Sequence, residues 1–311
     1  MLSELPPRAE VLDVLQAAVA PTAGAVVVVF GLLTTLAWLL SKQVRFDWRK
    51  ATPSIAVLAL VAGLVAGNHF RGGFDHDYEK WTKWWHWAWP AIGFALGVEF
   101  LASLPGRPAA GYLLRGTAAG VVAWAVTPPA WQMTPADKWI VPAVAFALAI
   151  QWAIVARVGQ QSPGGSTCAA MACAALGAVA ILMHHRWNPT GTIVTTALFS
   201  ALVTLAVLAW ATRSDAGSGA AATTAPIATM LLLGRSLLDS NVPRSSFLLV
   251  GLAPLVLGVF LLPSLNRFSA YRAATPVKVL LVLIPVAAAI YLAMDAEPLM
   301  FETESEADEW K

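Results

Sequence analysis

Long apolar runs separated by short polar turns make up almost the whole of this 311-residue chain. A helix that crosses the hydrocarbon core of a membrane needs about 20 mostly apolar residues. The runs that meet this length lie at residues 22–41, 53–69, 84–104, 109–127, 139–157, 166–185, 190–211, 219–238, 246–263 and 276–294. The pattern therefore predicts an all-α integral membrane protein, with a polytopic bundle of about ten transmembrane helices over residues 22–294.

The two ends of the chain differ from this pattern. Residues 1–21 alternate apolar positions with Arg8, Glu10 and Asp13 at helical spacing, which is typical of a short amphipathic helix lying in the membrane interface. Residues 295–311 carry seven acidic residues and few apolar ones. We expect an interfacial lead-in helix at the first end and a flexible, solvated acidic tail at the second.

Basic residues in the short loops predict the orientation of the bundle. Cytoplasmic loops of membrane proteins carry an excess of lysine and arginine. The two most compact basic loops, at residues 42–50 and 267–278, fall on the same side of a ten-span topology. We therefore expect these loops inside and both termini outside, in a bacterial cytoplasmic membrane.

Composition supports this class and excludes others. Hydrophobic residues make up 58% and charged residues 12% of the chain, against roughly 45–50% and 25% in soluble domains. The net charge of +2 comes from scattered basic residues that form no patch, so no nucleic-acid partner is expected. No P-loop, dinucleotide-binding glycine pattern, HExxH or nucleophile elbow is present, which argues against a nucleotide-driven pump or a hydrolase.

Two patterns concern the arrangement of the spans. His69 and His184 are each followed closely by arginine at the ends of the second and sixth spans, 115 residues apart. This offset suggests a four-plus-four internal repeat followed by two further helices. Three GxxxG pairs, at 63/67, 93/97 and 116/120, fall on the second, third and fourth spans. Such pairs predict close packing of these three helices.

The stretch from residue 68 to residue 99 is the densest in chemically active side chains, and all five histidines fall at or beyond predicted outer ends of spans. Imidazole and carboxylate groups are common ligands of transition metals, and imidazole also binds haem iron. Histidine side chains are also stable in the lipid headgroup region. The same residues are therefore also explained by a belt of amphipathic side chains at the membrane interface. The hypothetical transition-metal or haem site comprises His69, His86, His184, His185, Asp75 and Asp77.

Glu99 and Arg115 are charged residues inside apolar spans. They lie at similar distances on either side of the turn at residues 105–108, so an antiparallel helical hairpin brings them to nearly the same depth. An isolated charge in the membrane is costly, and pairing or a water-filled cavity is expected. The pair is a candidate for transport or gating, and the alternative is a structural ion pair that locks the two helices together.

Three functions fit these features. A secondary transporter or permease for a small solute is the leading hypothesis, because the chain is nearly all membrane, carries an embedded charge pair and has Pro254 and Pro285 where they would kink spans. One rival is a membrane-embedded metal- or haem-binding enzyme or electron-transfer subunit. The other is a non-catalytic subunit that docks a partner through the outer loop at residues 70–89. The sequence identifies no substrate, cofactor or oligomeric state.

Overall fold

The computed structural model describes residues 8–43, 47–69, 84–104, 108–128, 138–162, 164–184, 189–237 and 241–296. Regular structure in these ranges is entirely helical. The α-helices are α1 (Arg8–Gln43), α2 (Thr52–His69), α3 (Ala88–Ala102), α4 (Pro108–Val126), α5 (Ile140–Gln161), α6 (Ser166–His184), α7 (Pro189–Thr212), α8 (Thr224–Leu237), α9 (Arg244–Leu252), α10 (Pro263–Ser269) and α11 (Ala274–Ala296). Longer 3-10 segments are Trp48–Ala51, Trp84–Trp87, Gly217–Thr223 and Ala253–Leu261.

Eight helical stretches in the described ranges are long and apolar enough to cross a membrane. They coincide with eight of the ten predicted spans, which confirms a multi-pass, all-helical membrane protein. The third and eighth predicted spans are shorter than expected. Helix α3 has 15 residues and α8 has 14 residues, so each reaches a spanning length only together with the 3-10 segment that precedes it.

The amphipathic lead-in does not form a separate helix. Helix α1 is continuous over 36 residues and passes through Pro21, so the predicted lead-in segment and the first span form one helix, and the interfacial position of the segment stays a prediction. A proline removes one backbone hydrogen bond, and apolar side chains packed on both sides of it can hold the helix together. The acidic tail from residue 297 onward lies outside the described residues.

The eighth predicted span begins as a tightly packed 3-10 segment. All seven residues from Gly217 to Thr223 are buried. The segment packs against α5, where Gly217 meets Gly159 backbone to backbone, and against α2, where Gly219 approaches the carbonyl oxygen of Pro53. Glycine and alanine have almost no side chain here, so backbones come into contact and the segment lies in the core instead of spanning on its own.

The three GxxxG pairs have different environments. On α2, a Cβ atom at Gly63 would lie 2.7 Å from Val26 of α1, and one at Gly67 would overlap Thr22, so close packing is confirmed there. The pairs on α3 and α4 have no atom within 4 Å of an added Cβ, and the prediction of close packing is wrong for them. The reason is that both helices turn these glycines away from each other and pack through alanine, valine and the charge pair.

Proline breaks one of the two spans in which a kink was predicted. Helix α9 changes to 3-10 geometry at Ala253, immediately before Pro254, whereas α11 continues through Pro285. The four-plus-four repeat stays a prediction. Helix pairing does not reproduce it, because α1 packs along α2 while their counterparts α5 and α6 barely touch.

Candidate functional site

A buried charge network joins three helices near the centre of the bundle. Arg115 of α4 donates two hydrogen bonds to Glu99 of α3, from Nε to Oε2 and from Nη2 to Oε1, each 2.7 Å long. Trp152 of α5 donates a third from its indole nitrogen to Oε2, also 2.7 Å. All three side chains are buried, with Glu99 and Trp152 fully inaccessible. The predicted pairing of Glu99 with Arg115 is therefore confirmed.

The carboxylate of Glu99 accepts three hydrogen bonds in this network. A bidentate guanidinium–carboxylate pair is the strongest geometry available to these two groups, and the indole N–H uses a further lone pair of the carboxylate. A buried ion pair is tolerated only when its remaining polar atoms are also satisfied. The arrangement fits a structural tie that fixes α3, α4 and α5, while a transport or gating role for Glu99 and Arg115 stays a prediction.

A cavity of about 620 Å³ lies between α5, α8 and α9. This volume is within the range of small-molecule sites. The wall is apolar except for three side chains, Gln151, Arg235 and Arg244. The lining residues are Ile140, Ala143, Val144, Ala147, Leu148, Gln151, Ala228, Leu231, Leu232, Arg235, Arg244, Phe247, Leu248, Gly251 and Leu252. We call this cavity the arginine pocket.

The arginine pocket opens where three helices have their ends on one face of the bundle. Helix α5 begins at Ile140, α8 ends two residues beyond Arg235, and α9 begins at Arg244. From Ile140 to Gln151 the pocket follows α5 for roughly 16 Å toward the middle of the bundle. Both guanidinium groups therefore belong to the mouth, and the deep end is apolar apart from Gln151.

The two arginines of the mouth have no acidic partner among the described residues. Neither makes an ion pair or a hydrogen bond there, and the Nε atom of Arg235 is buried without a partner. Arg235 is partly buried, where a guanidinium without a counter-ion is costly, whereas Arg244 is exposed to solvent. Within the described residues no carboxylate balances the charge of either group.

The charge network supports the wall of the pocket. Trp152 follows Gln151 directly on α5, so the hydrogen bond that Trp152 donates to Glu99 fixes the rotation of α5 at the deep end of the pocket. Helices α3 and α4 also contact α8, the opposite wall. Glu99 thereby links α5, one wall of the pocket, to α3 and α4.

A second buried cation lies at the opposite ends of the helices. Lys278 of α11 is fully buried, and its ammonium donates to Ser162 Oγ at 2.6 Å, to the Ser269 carbonyl at 3.0 Å and to Ser166 Oγ at 3.4 Å. The ring of Phe260 lies 5.2 Å from the ammonium nitrogen. Lys278 has no carboxylate partner in the described ranges. It ties the end of α5 to the start of α6 and the end of α10.

Neither the arginine pocket nor the burial of Lys278 was predicted from the sequence. Lys278 stands within the predicted tenth span but was counted among the basic residues of the loop at 267–278, and the structure buries it. Arg235 lies inside the predicted eighth span. An arginine or lysine inside an apolar span is a signal for a functional or paired charge, and applying that rule to every basic residue would have selected both.

The histidines are not brought together within the described ranges. His69 lies exposed at the end of α2, and His86 lies in the 3-10 segment Trp84–Trp87. His184 is buried at the end of α6, where its Nδ1 atom is 2.9 Å from the Ala180 carbonyl oxygen. No group of three or more potential metal ligands occurs among the described residues. Asp75, Asp77 and His185 lie outside them, and the metal or haem site stays a prediction.

No protein-family model matches this chain, and neither does any curated protein or solved structure. Function is therefore inferred from the geometry of the site alone.

Proposed function

We propose that the protein is a secondary transporter or permease for a small solute and that the arginine pocket is its substrate site. The observation that carries this proposal is a solute-sized pocket inside a membrane bundle with its mouth at one face. Its lining residues run inward from that face, from Ile140 to Gln151 on α5, from Arg235 back to Ala228 on α8 and from Arg244 to Leu252 on α9. In alternating access, the substrate site opens to only one side of the membrane in each of the two end conformations of the transporter.

The opposite side of the bundle supports this function, because it is sealed by contacts that can be broken locally. Gly159 packs against Gly217, and Lys278 ties three helix ends together through hydroxyl and carbonyl oxygens. Neutral oxygens hold an ammonium less tightly than a carboxylate does. The Lys278 contacts form a seal that opens when substrate moves through the bundle, while the bidentate Glu99 network stays fixed.

Alternating access predicts reciprocal changes in accessibility when the seal is removed. In a chain without its two native cysteines, Ala147→Cys reports on the pocket and Thr167→Cys reports on the start of α6. We expect Lys278→Met to raise the rate at which a membrane-impermeant thiol reagent labels the cysteine at position 167. The same variant should lower the labelling rate of the cysteine at position 147. The rates are measured in oriented vesicles, with the reagent added to each side separately.

The matched control is Lys50→Met, because Lys50 is an exposed lysine that makes none of the contacts of the seal. It should leave both labelling rates unchanged. If Lys278→Met also leaves both unchanged, or raises both together as general loosening would, the transport proposal fails.

His184 favours a second function, a membrane-embedded metal- or haem-binding protein. Its Nε2 atom is buried and has no hydrogen-bond partner. With the proton on Nδ1, donated to the Ala180 carbonyl oxygen, Nε2 presents a lone pair, as in many metal-ligating histidines. This function predicts that purified protein retains a transition metal or a haem absorption band, and that His184→Gln abolishes it.

The control for this test is His69→Gln, because His69 is exposed at the end of α2. If His184→Gln alone loses the signal, His184 is a ligand, and equal loss in both variants indicates a shared site. Absence of metal and haem from the parent protein eliminates this second function. The docking loop at residues 70–89 is described only from residue 84 onward, and a partner subunit there remains a prediction.

A further inference from the structure

The charge distribution of the arginine pocket restricts what it can hold. Its mouth carries Arg235 and Arg244, neither of which has a counter-ion in the described part of the chain. A cationic solute would be repelled there, and a neutral solute would leave both guanidinium groups unpaired. Arginine also matches carboxylate and phosphate oxygens in a bidentate geometry. The mouth is therefore complementary to an anion.

Helix α9 adds to this preference. It begins at Arg244, and its N-cap residue, Pro243, makes no side-chain cap. In the first turn of α9 the backbone N–H of Ser246 bonds the Pro243 carbonyl oxygen, and the helix dipole favours negative charge at this end. The N-terminus of α9 therefore reinforces the field of the two arginines at the same mouth.

The remainder of the pocket is complementary to hydrocarbon. Below the arginines the wall consists of leucine, isoleucine, valine, alanine and Phe247, and it continues to Gly251 and Gln151. An ion with a full hydration shell would gain nothing from this surface, whereas an apolar chain would gain about 25 cal/mol for each Å² of its surface removed from water. The ligand must therefore carry an apolar body as well as a negative head.

We propose that the arginine pocket binds a single-chain amphiphilic anion, with its carboxylate or phosphate between Arg235 and Arg244 and its apolar chain against α5, α8 and α9. This inference rests on the proposed function, since it names the substrate class of the same site. The head stays at the mouth, where water can reach it, and the chain points toward the centre of the bundle. The same chemistry could come from the headgroup of an anionic membrane lipid, and the last comparison of the test below distinguishes the two sources.

The test is equilibrium binding to the full-length protein in phosphatidylcholine nanodiscs, with empty nanodiscs subtracted. The probes are decanoate, decyltrimethylammonium and butyrate. We expect saturable binding of decanoate and none of the cation, which has the same chain, or of butyrate, which has the same head. Equal binding of decanoate and decyltrimethylammonium would overturn the proposal.

Variants locate the binding at the mouth. Arg235→Gln and Arg244→Gln should each weaken decanoate binding by roughly tenfold, the change expected for the loss of one charged hydrogen bond. Arg244 is exposed, so its replacement leaves folding intact even if that of Arg235 does not. The control, Arg272→Gln, removes an exposed arginine outside the pocket and should bind as the parent does. Unchanged affinity in Arg244→Gln would refute the assignment.

A final arm separates the two sources of the anion. Nanodiscs that contain phosphatidylglycerol should leave decanoate binding unchanged if the site takes a free single-chain ligand. If this lipid blocks decanoate in the parent protein but no longer interacts with Arg244→Gln, the occupant is a bilayer lipid and the proposed class is wrong.

Because binding is measured without transport, saturable binding without reciprocal labelling would refute transport alone. Reciprocal labelling without binding would refute the ligand class alone.

Discussion

Arg115→Gln should destabilise the protein by about 3 to 5 kcal/mol, the typical cost of removing one member of a buried ion pair. The reason is that Glu99 is fully buried and would keep only the hydrogen bond from Trp152 to balance its charge. Helices α3, α4 and α5 would lose their common tie, and the wall of the arginine pocket would lose its support. The measurement is the free energy of unfolding in mixed micelles.

The double variant Glu99→Gln/Arg115→Gln provides the matched comparison. Removing both charges leaves two amides that can hydrogen-bond to each other, and replacing a whole buried pair is often close to neutral. We expect most of the lost stability to return. A double variant no more stable than Arg115→Gln would show that the two residues do not interact, contrary to the 2.7 Å contacts. Recovery of stability without recovery of ligand binding would show that the network also serves the site.

Gly159→Ala should also have a large effect, although it adds only a methyl group. The added Cβ would overlap the carbonyl oxygen of Gly217 and lie 2.5 Å from both the carbonyl carbon of Gly217 and the nitrogen of Ser218. All three obstacles are backbone atoms, which cannot rotate away. Helix α5 and the 3-10 segment would have to separate, and we expect a loss of about 3 kcal/mol or more, the upper end of overpacking.

Gly120→Ala is the control for this prediction, because both glycines lie in transmembrane helices and no atom lies within 4 Å of a Cβ added at Gly120. Without a clash, alanine should stabilise α4 by about 0.5 to 1 kcal/mol, the usual difference between the two residues inside a helix. The measurement is again unfolding in mixed micelles, with both variants purified in parallel. Equal destabilisation of the two variants would contradict the packing described here.

Helix positions and the charge pair were accessible from sequence for one physical reason. In lipid each backbone N–H and C=O must be satisfied within the segment, so an apolar run of sufficient length forms a helix whatever surrounds it. Depth along a helix then follows from the rise per residue. This is why counting from the turn at residues 105–108 places Glu99 opposite Arg115, and why the contact between them is found.

Rotation of a helix about its own axis is not given by such counting. The GxxxG pairs of α2, α3 and α4 look alike in the sequence, but only the pair of α2 meets a neighbour. Composition is equally insensitive to backbone geometry, because the small residues from Gly217 to Thr223 lie within a predicted span and instead form a buried 3-10 segment.

The sequence alone determined the class of this protein, the approximate positions of its helices and the pairing of Glu99 with Arg115, since each of these follows from local composition or from neighbouring segments. The arginine pocket and the oxygen contacts of Lys278 were decided by tertiary structure. Their parts come from helices far apart in the chain, such as Arg235 of α8 beside Ile140 of α5, or Lys278 of α11 beside Ser162. Which surfaces meet depends on the packing energy of the whole bundle, and no local pattern records it.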